Sequence, residues 1–540
     1  MRSWSKIPAT RKRSRRCNVQ WKHEEAEQNL GHYLHPLVSM QEPSTPILYR
    51  RGYILSRRDV DLPERGCGDW TAAAVGDWRV YHAPDYAPLV VDVESATIIA
   101  FGILLDPVRE IEDASTILDD LLQSWQVSKE NFLARLDTLS GRFVLFVDGA
   151  DETIAVQDAC GMRTCFYTTG DEPLLSSHSE LIADVRNLSP SEDARRFMAT
   201  DWFRGNRDRH FPGLRTPYAT VKRLTPNTYL DVENREVTRF YPRESIPKHS
   251  TQDDAVIRKL SDVLVRQSEM LNRQRPICVP VTAGIDSRLT LATLRGLEDE
   301  VETFTFVYDD ASRKEAPIAR DLCETLGFSH RIIPCDREAP PSFIDDFSKN
   351  TSQVSSQFRG QVAATICAEL DDSHIHLKSN VSEVGRAYYH EPLLRSPSID
   401  PILAAQLYAF EHPFTVEAFD EFIQKTAFAD SSDIEPYDLF DWEARMGNWV
   451  ALSCLEWDAG PEMIMPYNNR WLLEHLLGFP LSKRRKGHVH RELVHHVYPE
   501  SLEIPINAHK SKPIVGAVVD HLHFFKQEVL RQTGAWYRQR

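Results

Sequence analysis

The segment Val279-Pro-Val-Thr-Ala-Gly-Ile-Asp-Ser-Arg288 constrains the fold more than any other, because a short apolar run enters a turn of small residues and leaves it as a helix. Thr282, Ala283 and Gly284 let backbone N–H groups approach an anion closely, and the helix starting near Asp286 adds the positive end of its dipole. Residues 282–287 therefore read as a phosphate cradle. The spacing is neither the Gly-Lys-Ser/Thr ending of the common P-loop nor the Gly-x-Gly-x-x-Gly of dinucleotide folds. Ser287 can donate a hydroxyl at the helix start, and Arg288 can reach a phosphate or a substrate carboxylate, or simply project into water. Asp286 reads either as a metal ligand or as the helix N-cap.

The residues beyond this turn fit an α/β sheet. A second β-rich run covers residues 301–308, helical apolar spacing covers 315–327 with Gly327 as the closing cap, and 330–334 gives a third strand. This alternation predicts a doubly wound parallel sheet, whose ligands bind at the carboxyl ends of the strands, where residues 282–287 lie. An amphipathic helix over 253–272 precedes it. Residues 46–245 are instead dominated by β-structure, with candidate strands at 47–55, 78–82, 89–93, 97–104, 142–147, 153–157, 164–168, 229–231 and 237–241, and helices near 114–125, 129–139 and 180–185. The expected class is thus an α+β layered first domain, a proline-containing linker over 242–251, and an α/β second domain over 252–520 with extra helices from about residue 396.

Length and charge narrow the function. A chain of 540 residues exceeds one ordinary core, so two domains are expected. No uninterrupted apolar stretch of about 18 residues is present, which argues against a membrane span. A net charge of −16 disfavours nucleic acid and anionic membranes as partners. Nine dispersed cysteines without a Cys-x-x-Cys pair suggest reduced thiols in a cytoplasm. The first seventeen residues carry seven Lys/Arg and no acid, with no apolar run behind them, so residues 1–45 read as a disordered basic leader or an overlong start, with a targeting or nucleic-acid arm as the alternative, and not as a secretory signal. His488, His490, His495 and His496 lack zinc-ligand spacing, and the basic tetrapeptide 483–486 suits a helix end.

The Thr282–Ser287 turn resembles the Ser-Gly-Gly-x-Asp-Ser loop of ATP pyrophosphatases that adenylate a carboxylate or carbonyl oxygen. Residues 46–520 as a whole resemble an asparagine synthetase-type protein. Leu139-Ser-Gly-Arg-Phe-Val-Leu-Phe146, Ala155-Val-Gln-Asp-Ala-Cys-Gly-Met-Arg163 and Cys165-Phe-Tyr167 are similar to the family's glutaminase-like, Ntn-hydrolase-like domain, and Leu224–Tyr229 with Arg239-Phe-Tyr241 resemble its end. Lys378-Ser-Asn-Val-Ser-Glu-Val-Gly-Arg386 occupies the place of the Gly-Asp-Gly-x-Asp-Glu motif. Met465-Pro-Tyr-Asn-Asn-Arg470 and Pro505-Ile-Asn-Ala-His-Lys-Ser-Lys512 resemble the C-terminal Pro-Phe-Leu-Asp element and the catalytic-lysine loop.

The resemblance implies ATP on residues 282–287, Asp286 near metal-bridged phosphates, Phe306 and Val307 near adenine, and Lys510, with Lys512 behind it, as the cation of the transition state. Departures refine this. Glutamine-hydrolysing members begin with a nucleophilic Cys, whereas here Met1 precedes Arg2 and the first cysteine is Cys17, so the glutaminase is expected to be inactive, as in the β-lactam synthetase and lasso-peptide cyclase branches. Ala283 replaces a glycine that would tolerate positive φ, implying modest strain. Ser382 stands where a metal-binding Asp is expected, leaving Glu383 as the catalytic and Mg²⁺-binding substitute beside Asp286. Glu443 and Arg445 either line the acceptor pocket or pair with one another. The expected activity is an ATP- and Mg²⁺-dependent, AMP-forming amide ligase acting on small-molecule or peptide carboxylates and amines, with homo-oligomerisation left open. A nucleotide-binding scaffold without catalysis and a tRNA-modifying pyrophosphatase are the alternatives.

Overall fold

Strands rich in Val, Ile and Phe build two different kinds of sheet, one in each half of the sequence. The structure, a computed structural model, describes residues 47–506 apart from 171, 207, 208, 244, 337, 390–395, 409 and 431–433. The basic leader and both candidate lysines, Lys510 and Lys512, lie outside the described residues.

The first half forms two six-stranded antiparallel sheets. One runs in the order Val221–Arg223, Phe166–Thr168, Leu174–Ser176, Tyr53–Ser56, Trp78–His82, Thr71–Val75; the other runs Glu236–Arg239, Thr228–Asp231, Thr153–Gln157, Ser140–Gly149, Ala96–Leu105, Leu89–Val93. Side chains alternate as a pleated strand requires. Ile99, Phe101, Val144 and Phe146 face Tyr53, Leu55, Trp78 and Val80 between the sheets. Their neighbours Ile98, Ala100, Leu145 and Val147 join the cluster that contains Ile117, Leu118 and Leu121 of the Ala114–Val127 helix. Asp113 caps that helix by accepting from the Thr116 amide at 2.7 Å. The Ser179–Arg186 helix lies against the first sheet, giving a helix–sheet–sheet–helix stack. Gly141 has φ +114°, and a Cβ there would sit 2.1 Å from the Ile103 carbonyl oxygen, so the Leu139-Ser-Gly sequence meets a real constraint.

The expected strand at 47–55 begins only at Tyr53, because residues before it turn, with left-handed Tyr49 and Arg51. Thr71–Val75, Leu174–Ser176 and Val221–Arg223 are strands that periodicity missed. The first carries three alanines on an edge, and the others are three residues long.

The second half contains a five-stranded, wholly parallel sheet in the order His330–Pro334, Glu302–Val307, Ile277–Pro280, Ile375–Leu377, Glu462–Ile464. The helix Asp310–Thr325 ends as expected at Gly327. That residue is left-handed at φ +86°, and the amides of Gly327 and Phe328 return to the carbonyls of Glu324 and Cys323 at 3.2 and 2.9 Å. Among the described residues no helix is long and apolar enough to cross a membrane.

The two sheet systems share one apolar cluster that runs from Leu48 to Val494. Through it passes a buried ion network. Arg142 grips Asp458 with two bonds of 2.6 and 2.7 Å, Arg163 donates to Glu462 at 3.0 Å, and Arg51 donates to the carbonyls of Asp458 and Gly460. Asn468 adds a neutral clamp, accepting from the Cys160 amide at 2.8 Å and donating to the Gly141 carbonyl at 2.6 Å. Burial alone would raise the Asp458 carboxyl, but Arg142, Arg163 and Arg51 together hold it well below the usual carboxylate range. Its contribution is therefore complete above the unfolded carboxyl pKa of about 3.9 and is lost only as pH falls towards the lower folded value. Asp458→Asn leaves three guanidinium groups under-compensated and is expected to cost about 3–5 kcal/mol in denaturant unfolding at neutral pH. Arg142→Met should cost less, since Asp458 keeps Arg51 and Arg163 as partners; equal losses would contradict a network centred on Asp458.

Candidate functional site

The order in which the chain adds strands reverses between Ile277–Pro280 and Ile375–Leu377, so the connections leave these two parallel neighbours on opposite sides and open a crevice at their carboxyl ends. Two segments meet there: residues 281–287 after the first strand, and residues 378–386 after the second.

The first segment is tied to itself. Ser287 Oγ accepts from the Thr282 amide at 3.2 Å and donates to the Thr282 carbonyl at 3.1 Å, while Thr282 Oγ1 accepts from the Gly284 amide at 3.2 Å. The Ser287 hydroxyl thus shapes the loop instead of projecting from the helix start. Ala283 is buried and lies outside the left-handed region, so its methyl group brings no backbone strain, contrary to expectation. Gly284 is the N-cap of the Ile285–Ala292 helix, which removes the capping role considered for Asp286. Arg288 is also reassigned: it is buried and donates to the carbonyls of Ser501, Ile504 and Pro505 at 2.5, 2.5 and 3.2 Å. It anchors the end of the described chain and does not face a ligand.

Asp286 joins the two segments. Its carboxylate accepts from Ser382 Oγ at 2.6 Å and from Arg386 Nη2 at 2.7 Å, and His490 Nε2 lies 3.9 Å away while sharing the Ser382 carbonyl at 3.1 Å. The Ser382–Arg386 turn sits between two left-handed non-glycine residues, Val381 at φ +78° and Ala387 at φ +57°. For β-branched Val381 that conformation is a genuine outlier, of the kind that surrounding contacts must enforce. Glu383 stands within this turn, where burial, and then the nearby Asp286 charge, raise its carboxyl pKa.

These donors do not fit a Mg²⁺ held by Asp286 and Glu383. Both Asp286 oxygens already receive hydrogen bonds, one of them from a guanidinium that repels a cation, and Ser382 offers a hydroxyl in place of a carboxylate. Among the described residues no group of three His, Cys, Asp or Glu side chains would hold a metal ion.

Beside the loop lies a cleft of about 510 Å³. Its apolar walls are Phe306, Val362, Ile366 and Trp457; Tyr308 stands over Phe358 with ring centres 5.5 Å apart. Thr282 and Lys378 supply polar lining. Phe306 occupies the wall as expected, whereas Val307 does not: strand alternation turns it away, and its carbonyl accepts from the Cys335 amide at 2.9 Å. Lys378 gave no signal in the sequence, since only the sheet order brings it beside the 282–287 loop. Its ammonium lies 4.0 Å from the Trp457 ring centre, and burial, followed by the Arg359 charge, lowers its pKa to about 8.

A second cleft of about 210 Å³ shares Trp449 with the first and is lined by Tyr388, Tyr389, Phe440 and Arg445. Arg445 donates to Asp441 at 3.1 Å from the next turn of the π-helix Asp441–Val450. Glu443 turns the other way, binding Arg239 at 2.6 and 2.8 Å and Asn227 at 3.0 Å. The two residues are therefore not paired with each other, and only Arg445 lines a cleft. Lys483 donates to the Thr251 carbonyl at 2.8 Å and Arg484 to Asp438 at 2.7 Å, so the basic tetrapeptide holds structure together.

Residues 259–367, which include the 282–287 loop and three of the four apolar cleft walls, match the family model for asparagine synthase. Residues 259–367 carry an asparagine synthase-type domain. Lys378, the Ser382–Arg386 turn and Arg445 fall outside the matched residues. No curated protein matches the sequence. Among solved structures, the NH3-dependent NAD synthetase from Campylobacter jejuni is similar at 16% identity, over 26% of this chain and 62% of that one, with a TM-score of 0.18. The glutamine PRPP amidotransferase from B. subtilis, complexed with ADP and GMP, is 13% identical over 44% of this chain and 56% of that one, with a TM-score of 0.21. The allosteric regulatory enzyme of purine biosynthesis is 11% identical over 68% and 72%, with a TM-score of 0.22. The first two alignments span less than two thirds of the neighbour's own length.

His490, 3.9 Å from the Asp286 carboxylate, gives the site a pH signature. Burial lowers its pKa to about 4, with the Asp286 charge opposing, so the folded chain keeps it neutral while the unfolded chain, at about 6.5, takes up a proton. Stability is expected to fall as pH drops from about 6.5 to about 4, and His490→Gln should flatten that slope by up to one proton in urea unfolding measured across the range. An unchanged slope would contradict the burial of a neutral imidazole against Ser382 and Asp286.

Proposed function

We propose that the protein is an ATP-dependent carbon–nitrogen ligase that adenylates a carboxylate, releases pyrophosphate, and transfers the acyl group to a substrate amine with release of AMP. The observation that carries this reading is the cleft at the carboxyl ends of Ile277–Pro280 and Glu302–Val307, within the asparagine synthase domain, where flat apolar walls meet a small-residue loop at a helix start. A purine fits against Phe306, Val362 and Ile366, with its phosphates directed towards Thr282. Positioning and electrostatics would supply most of the rate.

Lys510 is assigned the transition-state cation, with Lys512 behind it. Arg288 supports this by fixing the carbonyls of Ser501, Ile504 and Pro505, the approach to the lysine segment, beside the phosphate loop. Arg445, with guanidinium 3.9 Å from the Tyr388 ring centre, suits an anionic group on the substrate in the adjoining cleft. Residues 46–245 act as a glutaminase-like domain without glutamine hydrolysis. Its described cysteines, Cys67, Cys160 and Cys165, are all buried, and burial pushes the Cys67 and Cys165 thiols up to about 12, opposite to what a nucleophile needs. The Asp286–Arg386 pairing favours one other reading, a nucleotide-binding scaffold without turnover.

Screening carboxylates and amines with the full chain and ATP should yield AMP and pyrophosphate in equal amounts, with no ammonia released from glutamine. Lys510→Ala should slow pyrophosphate release by at least roughly 10²-fold. ATP binding without turnover for any acid would favour the scaffold, and ADP with phosphate as products would overturn the adenylation.

A further inference from the structure

We propose that Lys378 binds the triphosphate of ATP in the larger cleft as a cation supplied by the protein. The proposal rests on the ligase reading above and adds to it the group that neutralises the phosphates.

Four observations converge on it. Lys378 directly follows the Ile375–Leu377 strand, whose parallel register with Ile277–Pro280 pairs Cys278 with His376; carried two residues further, that register sets Lys378 alongside Pro280, one strand spacing from the start of the phosphate loop. Lys378 and Thr282 line the same cleft. Among the described residues no carboxylate lies within ion-pair distance of the Lys378 ammonium, whose close neighbour is the face of Trp457 at 4.0 Å. The neighbouring cation in the cleft, Arg359, is by contrast paired with Glu456.

A part-buried ammonium without a counter-charge is costly, and an anion entering the cleft removes that cost. Two nearby carboxylates are already answered, Asp286 by Arg386 and Ser382, and Glu456 by Arg359 and Ser355. Arg386 is thus spent on Asp286 and Arg359 on Glu456, while the Lys378 ammonium lines the cleft outside ion-pair distance of any described carboxylate. Lysine is a point charge with three rotatable donors, suited to the oxygens of a polyphosphate and indifferent to their exact orientation.

The test is calorimetric titration of ATP, and separately of adenosine, into the full chain in buffer containing EDTA, using the wild type, Lys378→Met and Lys378→Arg. Methionine keeps the packing against Trp457 and removes only the charge. The expected result is ATP binding by the wild type without divalent cation, roughly 10- to 100-fold weaker binding by Lys378→Met as one charge-assisted contact is lost, and recovery in Lys378→Arg to within about 3-fold. Adenosine should bind all three alike, since the purine walls are untouched. ATP binding that survives Lys378→Met unchanged, or that EDTA abolishes in the wild type, overturns the proposal while leaving the ligase reading in place. Failure of the wild type to bind either ATP or adenosine, with or without Mg²⁺, overturns both.

Discussion

The head of the parallel sheet depends on the Asp286 carboxylate. It lies in the first turn of the helix behind the phosphate loop, and its two bonds reach across the sheet's reversal to Ser382 and Arg386. Those bonds help fix a turn that follows a left-handed Val381, a conformation no isolated valine would choose. With that turn in place, Glu383 is half-buried near Asp286, His490 is kept neutral against the Ser382 carbonyl, and Lys378 is left at the mouth of the strand facing the cleft. One short polar contact therefore connects loop geometry, electrostatics and the lining of the candidate nucleotide site.

A comparable division of labour operates further down. Asp458 and Glu462, close to the sheet's last strand, receive arginines that belong to the antiparallel sandwich, so the layers are joined by charge as well as by apolar packing. This makes the first half a structural partner of the cleft. Trp457 illustrates the coupling: it is a neighbour in sequence of Glu456, which holds Arg359, and of Asp458, which holds Arg142, while its ring faces Lys378.

Much of this was legible in the sequence. The strands Trp78–His82, Leu89–Val93, Thr153–Gln157 and His330–Pro334 coincide with their expected bounds, because alternation and flanking turn residues leave little freedom. Thr282 and Phe306 reach the cleft because a strand end and a period of two determine where they point. Arg288, Ser287 and Val307 depart from expectation for one physical reason: a sequence places a residue after a strand but does not give the rotation about the helix axis or the face of the last pleat. Arg288 turns into the protein, Ser287 back onto its own loop, and Val307 away from the wall. Lys378 and the Ser382–Asp286 bond were hidden because they link segments 96 residues apart that only the sheet order brings together.

The most direct measurement is a crystal structure of the full chain with a non-hydrolysable ATP analogue. The purine is expected between Phe306, Val362 and Ile366, with the phosphates reaching the Thr282 loop and the Lys378 ammonium. An analogue bound elsewhere on the chain, or an empty cleft at saturating concentration, would contradict a nucleotide site at the head of this sheet.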